Sequence, residues 1–321
     1  MKLVVIANLN VGLASLRAFN ESENCEISLV ISHPSLTGFG SLIRRFCAER
    51  GIDYLESAEP NSEPVLKRLR AIAPDYLFSI YNPCILKPET LAIPKVAVNF
   101  HAAPLPRYRG TNIFSWAIIN GDSDYGVAWH IIERTIDTGD IVSQRMFPLS
   151  GKETALALCQ RSFDVGVNLL REEILPRLAT GLPRTVQPAS PSTYYGLKDL
   201  PPNSGRLDFR WEFDRIEKLT RGLSYESVPN PFVYAAAGVG EKLMHPLAVE
   251  RGGALPALHV PGRIEAIQDD AISIQCGDCM ARITSALDIG RRRLPVGKIC
   301  ERLGLRVADV FSSSAEMALT S

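Results

Sequence analysis

Residues 96–145, VAVNFHAAPLPRYRGTNIFSWAIINGDSDYGVAWHIIERTIDTGDIVSQR, decide the fold of this 321-residue chain. Val96, Ala97 and Val98 form a short apolar run that reads as a buried strand, with Asn99 and His101 at its end. Strand side chains alternate with a period of two, so a carboxamide and an imidazole two residues apart project to one side. A Pro-rich loop (Pro104, Pro106) and Gly110 then turn the chain. Thr111 or Asn112 can cap a helix carrying Ile113, Phe114, Trp116, Ile118 and Ile119. Asn120-Gly121-Asp122 ends that helix, and residues 125–132 alternate as a further strand. Asp137-Thr138-Gly139-Asp140 is a tight polar loop, after which Ile141 resumes strand character. The ends of two strands therefore offer Asn99, His101 and Asp137 to one place.

Upstream, strands over 2–7, 26–31, 53–55 and 76–81 alternate with helices over 12–19, 41–49 and 64–72. That alternation argues for an α/β fold, a Rossmann-like and mostly parallel sheet with helices on both faces. Ligands in such sheets sit at the carboxyl ends of the strands, where Asn99, His101 and Asp137 fall. The first strand–helix turn, Asn8-Leu9-Asn10-Val11-Gly12, lacks G-x-G-x-x-G, and no P-loop sequence occurs, so nicotinamide and NTP chemistry lose their main support. Gly38-Phe39-Gly40 reads as a plain loop.

Downstream, a long amphipathic helix is expected over 153–178 to close a catalytic domain spanning 1–180. Residues 181–205 are rich in Pro, Ser, Thr and Gly and read as a linker. A helix over 214–223 and short strands over 242–249, 262–268, 271–275 and 280–286 predict a small, OB-like β-barrel domain over 206–310, followed by a tail over 311–321.

Hydrophobic content of 46% and charged content of 22% are ordinary globular values. The 35 basic and 35 acidic residues cancel, which gives no general support for nucleic-acid binding. The start, MKLVVIANLN, reads as a first strand and not a signal peptide, and no apolar run approaches membrane-spanning length. Seven scattered Cys fit reduced thiols in a cytoplasmic protein.

Asn, His and Asp together suit acyl transfer to a neutral nucleophile. An Asn N–H and an imidazole N–H can stabilise a tetrahedral oxyanion, while a carboxylate beside the imidazole takes the nucleophile's proton or holds the His protonated. No Ser or Cys beside the His offers an acyl-enzyme, which points to direct transfer. NFHAAPLPRYRG, followed about thirty residues later by DTGD, resembles the signature of the folate-dependent formyltransferases. That family includes methionyl-tRNA, glycinamide ribonucleotide and sugar N-formyltransferases and formylation domains of peptide synthetases. The resemblance implies that Asn99, His101 and Asp137 are the catalytic residues and that 10-formyltetrahydrofolate is the formyl donor. The stretch 78–91, FSIYNPCILKPETL, is similar to the folate-lining stretch of the aminoarabinose enzyme, which implies that Pro83, Cys84, Ile85 and Leu86 bind the folate together with Asp137 and Asp140. The family often has Ser and Leu where Ala103 and Pro104 stand, and Pro-Trp-Pro-Gly where Pro229-Asn230-Pro231-Phe232 stands.

Arg107, Tyr108 and Arg109 flank the site loop and are the substrate-binding candidates. The two arginines can grip a phosphate or form a solvated loop face. Tyr108, like Trp116 and Trp129, reads as core or pocket wall, and Asp140 as a turn residue that steadies the Asp137 loop. The acceptor is expected to be the primary amine of a small activated metabolite, nucleotide-linked or carrier-bound. Transfer to tRNA is the weaker reading, because residues 32–42 lack the basic loop of the methionyl-tRNA enzymes. A hydrolase of formyl-folate and a non-catalytic folate-binding module stay open as alternatives. Cys276 and Cys279 bracket a Gly-Asp turn with no second Cys pair and no His at ligand spacing, so a plain hairpin and no metal are expected. Arg291-Arg292-Arg293 reads as a solvated face.

Overall fold

The computed structural model describes residues 1–189, 191–226 and 228–313, with the backbone alone for 37–40. The expected tail lies mostly outside the described residues. Two compact units emerge: one comprises Met1–Thr111, Asp124–Pro148 and Cys159–Tyr195, the other Asn112–Ser123, Leu149–Leu158 and the chain from Gly196 onward.

In chain order the first unit contains β1 (Lys2–Ala7), α1 (Leu9–Glu21), β2 (Glu26–Ser32), α2 (Thr37–Arg50), β3 (Tyr54–Glu56), α3 (Glu63–Ile72), β4 (Tyr76–Ile80), α4 (Pro88–Leu91), β5 (Val96–His101) and β6 (Arg109–Gly110). Helix α5 (Ile113–Asn120) belongs to the second unit, and β7 (Asp124–Ile131) and β8 (Ile141–Pro148) return to the first. Helix α6 (Ala155–Leu169) continues through a wide turn, Leu170–Ile174, and a tight one, Leu175–Arg177, so the expected helix over 153–178 is continuous but not uniform. Gly38-Phe39-Gly40 lies in the first turn of α2 and not in a loop. A first turn leaves its N–H groups without intrahelical partners, so it does not need the residues that favour a helix interior.

The seven-stranded sheet runs β3-β2-β1-β4-β5-β7-β8. Its first five strands are parallel, whereas β7 and β8 join antiparallel. This is the expected mostly parallel sheet. The period of two sorts the core. Val4, Ile6, Leu29, Ile31 and Leu77 face Val65, Leu66 and Leu69 of α3. Phe78, one residue on from Leu77, turns the other way and meets Phe19 of α1 at 4.7 Å and Trp129 at 5.9 Å. Trp129 is fully buried and donates Nε1–H to the Gly166 carbonyl at 3.0 Å. Side chains of this size each stabilise by roughly 1.5–3 kcal/mol on burial.

Residues 181–205, read as a linker, carry β9 (Tyr194–Tyr195), which pairs in parallel with β6, and Thr185, which bridges to Ile141.

The second unit has α7 (Phe213–Gly222), then β10 (Ala237–Val239), β11 (Lys242–Arg251), β12 (Ile264–Ile267), β13 (Ile272–Gln275), β14 (Met280–Leu287), β15 (Arg293–Leu294) and α8 (Val296–Leu303). The strands form an antiparallel sheet, β10-β11-β14-β13-β12 with β15 on β14, curled into a half-barrel. Phe213, Ile216 and Leu219 of α7 and Val296, Ile299 and Cys300 of α8 join its core. Arg291, Arg292 and Arg293 are exposed, Arg292 pairing with Asp288. Among the described residues no helix is long and apolar enough to cross a membrane.

Candidate active site

Strand β5 delivers Asn99 and His101 to the carboxyl edge of the sheet, and its antiparallel register with β7 sets Asn99 opposite His130. Directly opposed residues share a face, so the carboxamide meets an imidazole. The Asn99 Nδ2 lies 3.1 Å from His130 Nε2, and His130 Nδ1 lies 2.8 Å from the Ile131 carbonyl oxygen. A carbonyl can only accept, so Nδ1 carries a proton; Nε2 of the neutral ring then accepts an N–H from Asn99. The bond fixes which way the carboxamide turns and leaves its second N–H for a ligand. His130 was not among the residues expected here, and nothing in its own stretch of alternating strand distinguishes it from a core histidine.

His101 is buried, and its Nε2–H donates to the Tyr108 carbonyl at 2.7 Å. The Nδ1 lone pair of the neutral ring faces Asp137 Oδ2 at 3.6 Å, beyond hydrogen-bonding distance but close enough to share a proton through small movement or one water. Burial pushes the His101 imidazole below its ordinary value, against the opposing pull of Asp137. For Asp137, burial acts to raise the carboxyl, but the charge that the His101 and His130 rings take on in acid, together with the Gly110 N–H, outweighs it and holds the group far below the usual carboxylate range. The site at neutral pH thus pairs a neutral imidazole with an ionised carboxylate.

Asp137 is held in place by its loop. Its backbone is left-handed (φ 53°), a conformation that costs a non-glycine residue energy unless its surroundings enforce it. The Gly110 N–H donates to Oδ2 at 2.9 Å, and Oδ1 lies 3.4 Å from His130 Nε2. Gln187 donates its side-chain N–H groups to the carbonyls of Asp137 (2.9 Å) and Gly139 (2.7 Å), and its Oε1 accepts from Arg109 Nη2 at 2.6 Å. Gly139 is dictated by space: a Cβ there would stand 2.0 Å from the Ile131 carbonyl oxygen. Gly110 has φ 96°, and a Cβ on it would meet the Tyr195 carbonyl oxygen at 2.1 Å.

The sequence profile of the formyl transferases matches residues 1–174, more than half of the chain. The chain belongs to the formyl transferase family. Among solved structures, this formyl transferase superposes on an N-formyltransferase from Helicobacter canadensis, described in complex with folinic acid and dTDP-3-aminofucose, with a TM-score of 0.66 and 20% identity over 89% of this chain and 99% of the other. A sugar 3N-formyl transferase, WlaRD, described with dTDP and 5-N-formyl-THF, gives 0.66 and 18% identity over 89% and 98%. HypX from Aquifex aeolicus, described in complex with tetrahydrofolic acid, gives 0.64 and 16% over 97% of this chain but 50% of its own. At these identities the likeness is one of fold.

The other expected site residues of this formyl transferase fall into two groups. Residues 83–86 follow β4, whose Ile80 pairs with Phe100, so they leave the sheet at the same edge as His101. Pro83 and Ile85 are exposed, Leu86 is buried in the core, and the Cys84 thiol donates to the Ala58 carbonyl at 3.3 Å. Asn82 and Asn61 engage the peptide groups of Cys84 and the Ile85 carbonyl, whereas the Leu86 peptide N–H and C=O have no hydrogen bond among the described residues. Asp140 sits beside the Asp137 loop, and its carbonyl accepts from the Ile131 N–H at 2.9 Å. The side-chain tie on that loop comes from Gln187. Arg107 pairs with Asp124 at the surface, 2.7 Å away. Tyr108 is buried and stacks on Tyr195, with ring centroids 5.8 Å apart, so it forms wall. Arg109 stays near His101: its charge acts on that ring, and its Nε is buried with no acceptor among the described residues.

Proposed function

We propose that this enzyme moves a formyl group from 10-formyltetrahydrofolate to the primary amine of a small activated metabolite, a nucleotide-linked amino sugar foremost. The reading is carried by the cluster of Asn99, His101, Asp137 and His130, its two imidazoles buried, in which a neutral imidazole faces an ionised carboxylate. The folds of the sugar N-formyltransferases, with the ligands named for them, support the donor and acceptor classes. The functional division follows a catalytic domain over 1–180 and a smaller domain over 206–310.

The amine nitrogen attacks the formyl carbon and forms a tetrahedral oxyanion, which the free N–H of Asn99 stabilises. The amine's proton passes to Nδ1 of His101, whose second proton is already committed to Tyr108, and the resulting imidazolium is neutralised by Asp137. The imidazolium Nδ1–H then protonates the departing folate nitrogen as the C–N bond breaks, and His101 returns to its neutral form. The donor lies along 79–86 and 135–140, with the Leu86 peptide available to a pterin. Arg109 faces an anionic group of the acceptor, held ready by Gln187.

Mass spectrometry tests the reading directly. The enzyme is incubated with 10-formyltetrahydrofolate and separate pools of nucleotide amino sugars, carrier-bound and free amino acids, and charged initiator tRNA. A gain of one formyl group in the first pool is expected. Product only in another pool moves the acceptor class, and formate release with no formylated product makes the chain a hydrolase.

A further inference from the structure

The hairpin between β13 and β14 holds a cluster that formyl transfer does not use. Its Gly277-Asp278 turn is closed by the Cys276 N–H donating to the Cys279 carbonyl at 2.9 Å. This closure brings the two thiols to an Sγ–Sγ separation of 3.6 Å, and Asp278 Oδ1 also lies 3.6 Å from Cys276 Sγ. One donor atom from each residue falls within 4.8 Å of the others. We propose that Cys276, Asp278 and Cys279 bind one thiophilic divalent cation of the Zn2+ class, with water in the fourth position.

The S···S and Cys276–Asp278 separations, both 3.6 Å, suit a shared ion, and the Cys276 thiol, which donates to the Cys279 carbonyl at 3.0 Å, would give up that bond with its proton. Metal–sulfur bonds of about 2.3 Å and metal–oxygen bonds of about 2.0 Å around a tetrahedral centre require an S···S edge of about 3.8 Å and an S···O edge of about 3.5 Å. The carboxylate is already aimed. Oδ1 accepts the Phe213 N–H at 2.7 Å and Oδ2 accepts from Arg251 Nη1 at 2.9 Å. A carboxylate oxygen has two lone pairs, so Oδ1 retains one for a metal, and such outer partners orient ligands in metal sites. A dication would offset the two thiolates, and the Arg251 guanidinium, shared between Asp278 and Asp214, partly offsets the carboxylate. Cys276 and Cys279 are buried, whereas Asp278 is exposed, which gives the ion an entrance and a place for water. Thiols must lose their protons to ligate a cation, so binding releases protons.

The test adds Cd2+ and Co2+ to the reduced full-length protein and follows thiolate-to-metal charge transfer, proton release and thermal stability. One equivalent should saturate the band, both thiol protons should appear in solution, and the midpoint should rise. Cys279→Ser should abolish the band. Asp278→Asn and Arg251→Ala keep both thiols and serve if the cysteine variant fails to fold; Arg251→Ala should weaken binding about 10–100-fold. No band overturns the proposal, as does equal affinity in Asp278→Asn and wild type, which would mean chelation by the thiols alone. A Cys276–Cys279 disulfide in freshly isolated protein would replace the metal site with a redox pair.

Discussion

In the proposed mechanism His101 and Asp137 divide the proton chemistry between them, and single substitutions test those roles. Asp137→Asn keeps an oxygen for the Gly110 N–H but cannot neutralise an imidazolium, and His101→Ala removes the base. Each should lower kcat by about 10²–10⁴ in a steady-state formyl-transfer assay with circular dichroism unchanged. Near-normal turnover in either would remove the assigned roles. His130 touches no substrate in this scheme, so it acts by holding Asn99. His130→Leu should cut kcat by about 10²-fold with little change in KM for the donor. His130→Gln, which can still accept from the carboxamide, should recover part of it. Because burial holds His101 below its ordinary value, the base form persists at neutrality. The acid limb of kcat/KM should therefore fall below about pH 6.5, and a limb above that value would contradict the neutral-imidazole assignment.

The loop over residues 132–140 is the element that makes the site, and its stability comes from partners far along the chain. Gln187 ties the carbonyls of Asp137 and Gly139 across 50 and 48 residues. Gln187→Leu should leave the sheet intact but free the loop, lowering kcat and raising KM for an anionic acceptor together. Kinetics with paired anionic and neutral amines would show the difference. Gly139→Ala should be worse, since its Cβ has no room beside Ile131. A loss of more than ~1 kcal/mol in denaturant unfolding is expected, and unchanged stability would mean that the loop adapts at no cost. The DTGD stretch announced this loop, but composition marked 181–205 only as linker-like. Pairing of β9 with β6 depends on the partner strand, which propensity does not register. The short strands β10 and β15 escaped for the same reason, whereas helix α8 carries a local stop signal in Gly304, left-handed just after its last turn.

For the whole molecule, buried titrating groups set how stability follows pH. His101 and His245 are both held below their ordinary values by burial, so the unfolded chain binds more protons as pH falls through about 6.5. Asp137 has a depressed value and adds a second loss nearer pH 4. The thermal midpoint should be flat above neutrality and decline in those two stages, the first reduced in a His101→Gln, His245→Gln double variant. A midpoint that rises on acidification to pH 5.5 would contradict the burial of neutral imidazoles. Local patterns in the sequence determined the order of strands and helices, the mostly parallel sheet and the trio of Asn99, His101 and Asp137. Periodicity, turn residues and motif spacing all act within a few residues of one another. Tertiary structure alone decided that His130 faces Asn99, that Gln187 braces Asp137, and that Phe213 and Arg251 aim Asp278 at a pair of thiols. Such contacts depend on strand register and on packing between distant segments, and a side chain's neighbours there are chosen by the fold and not by its place in the chain.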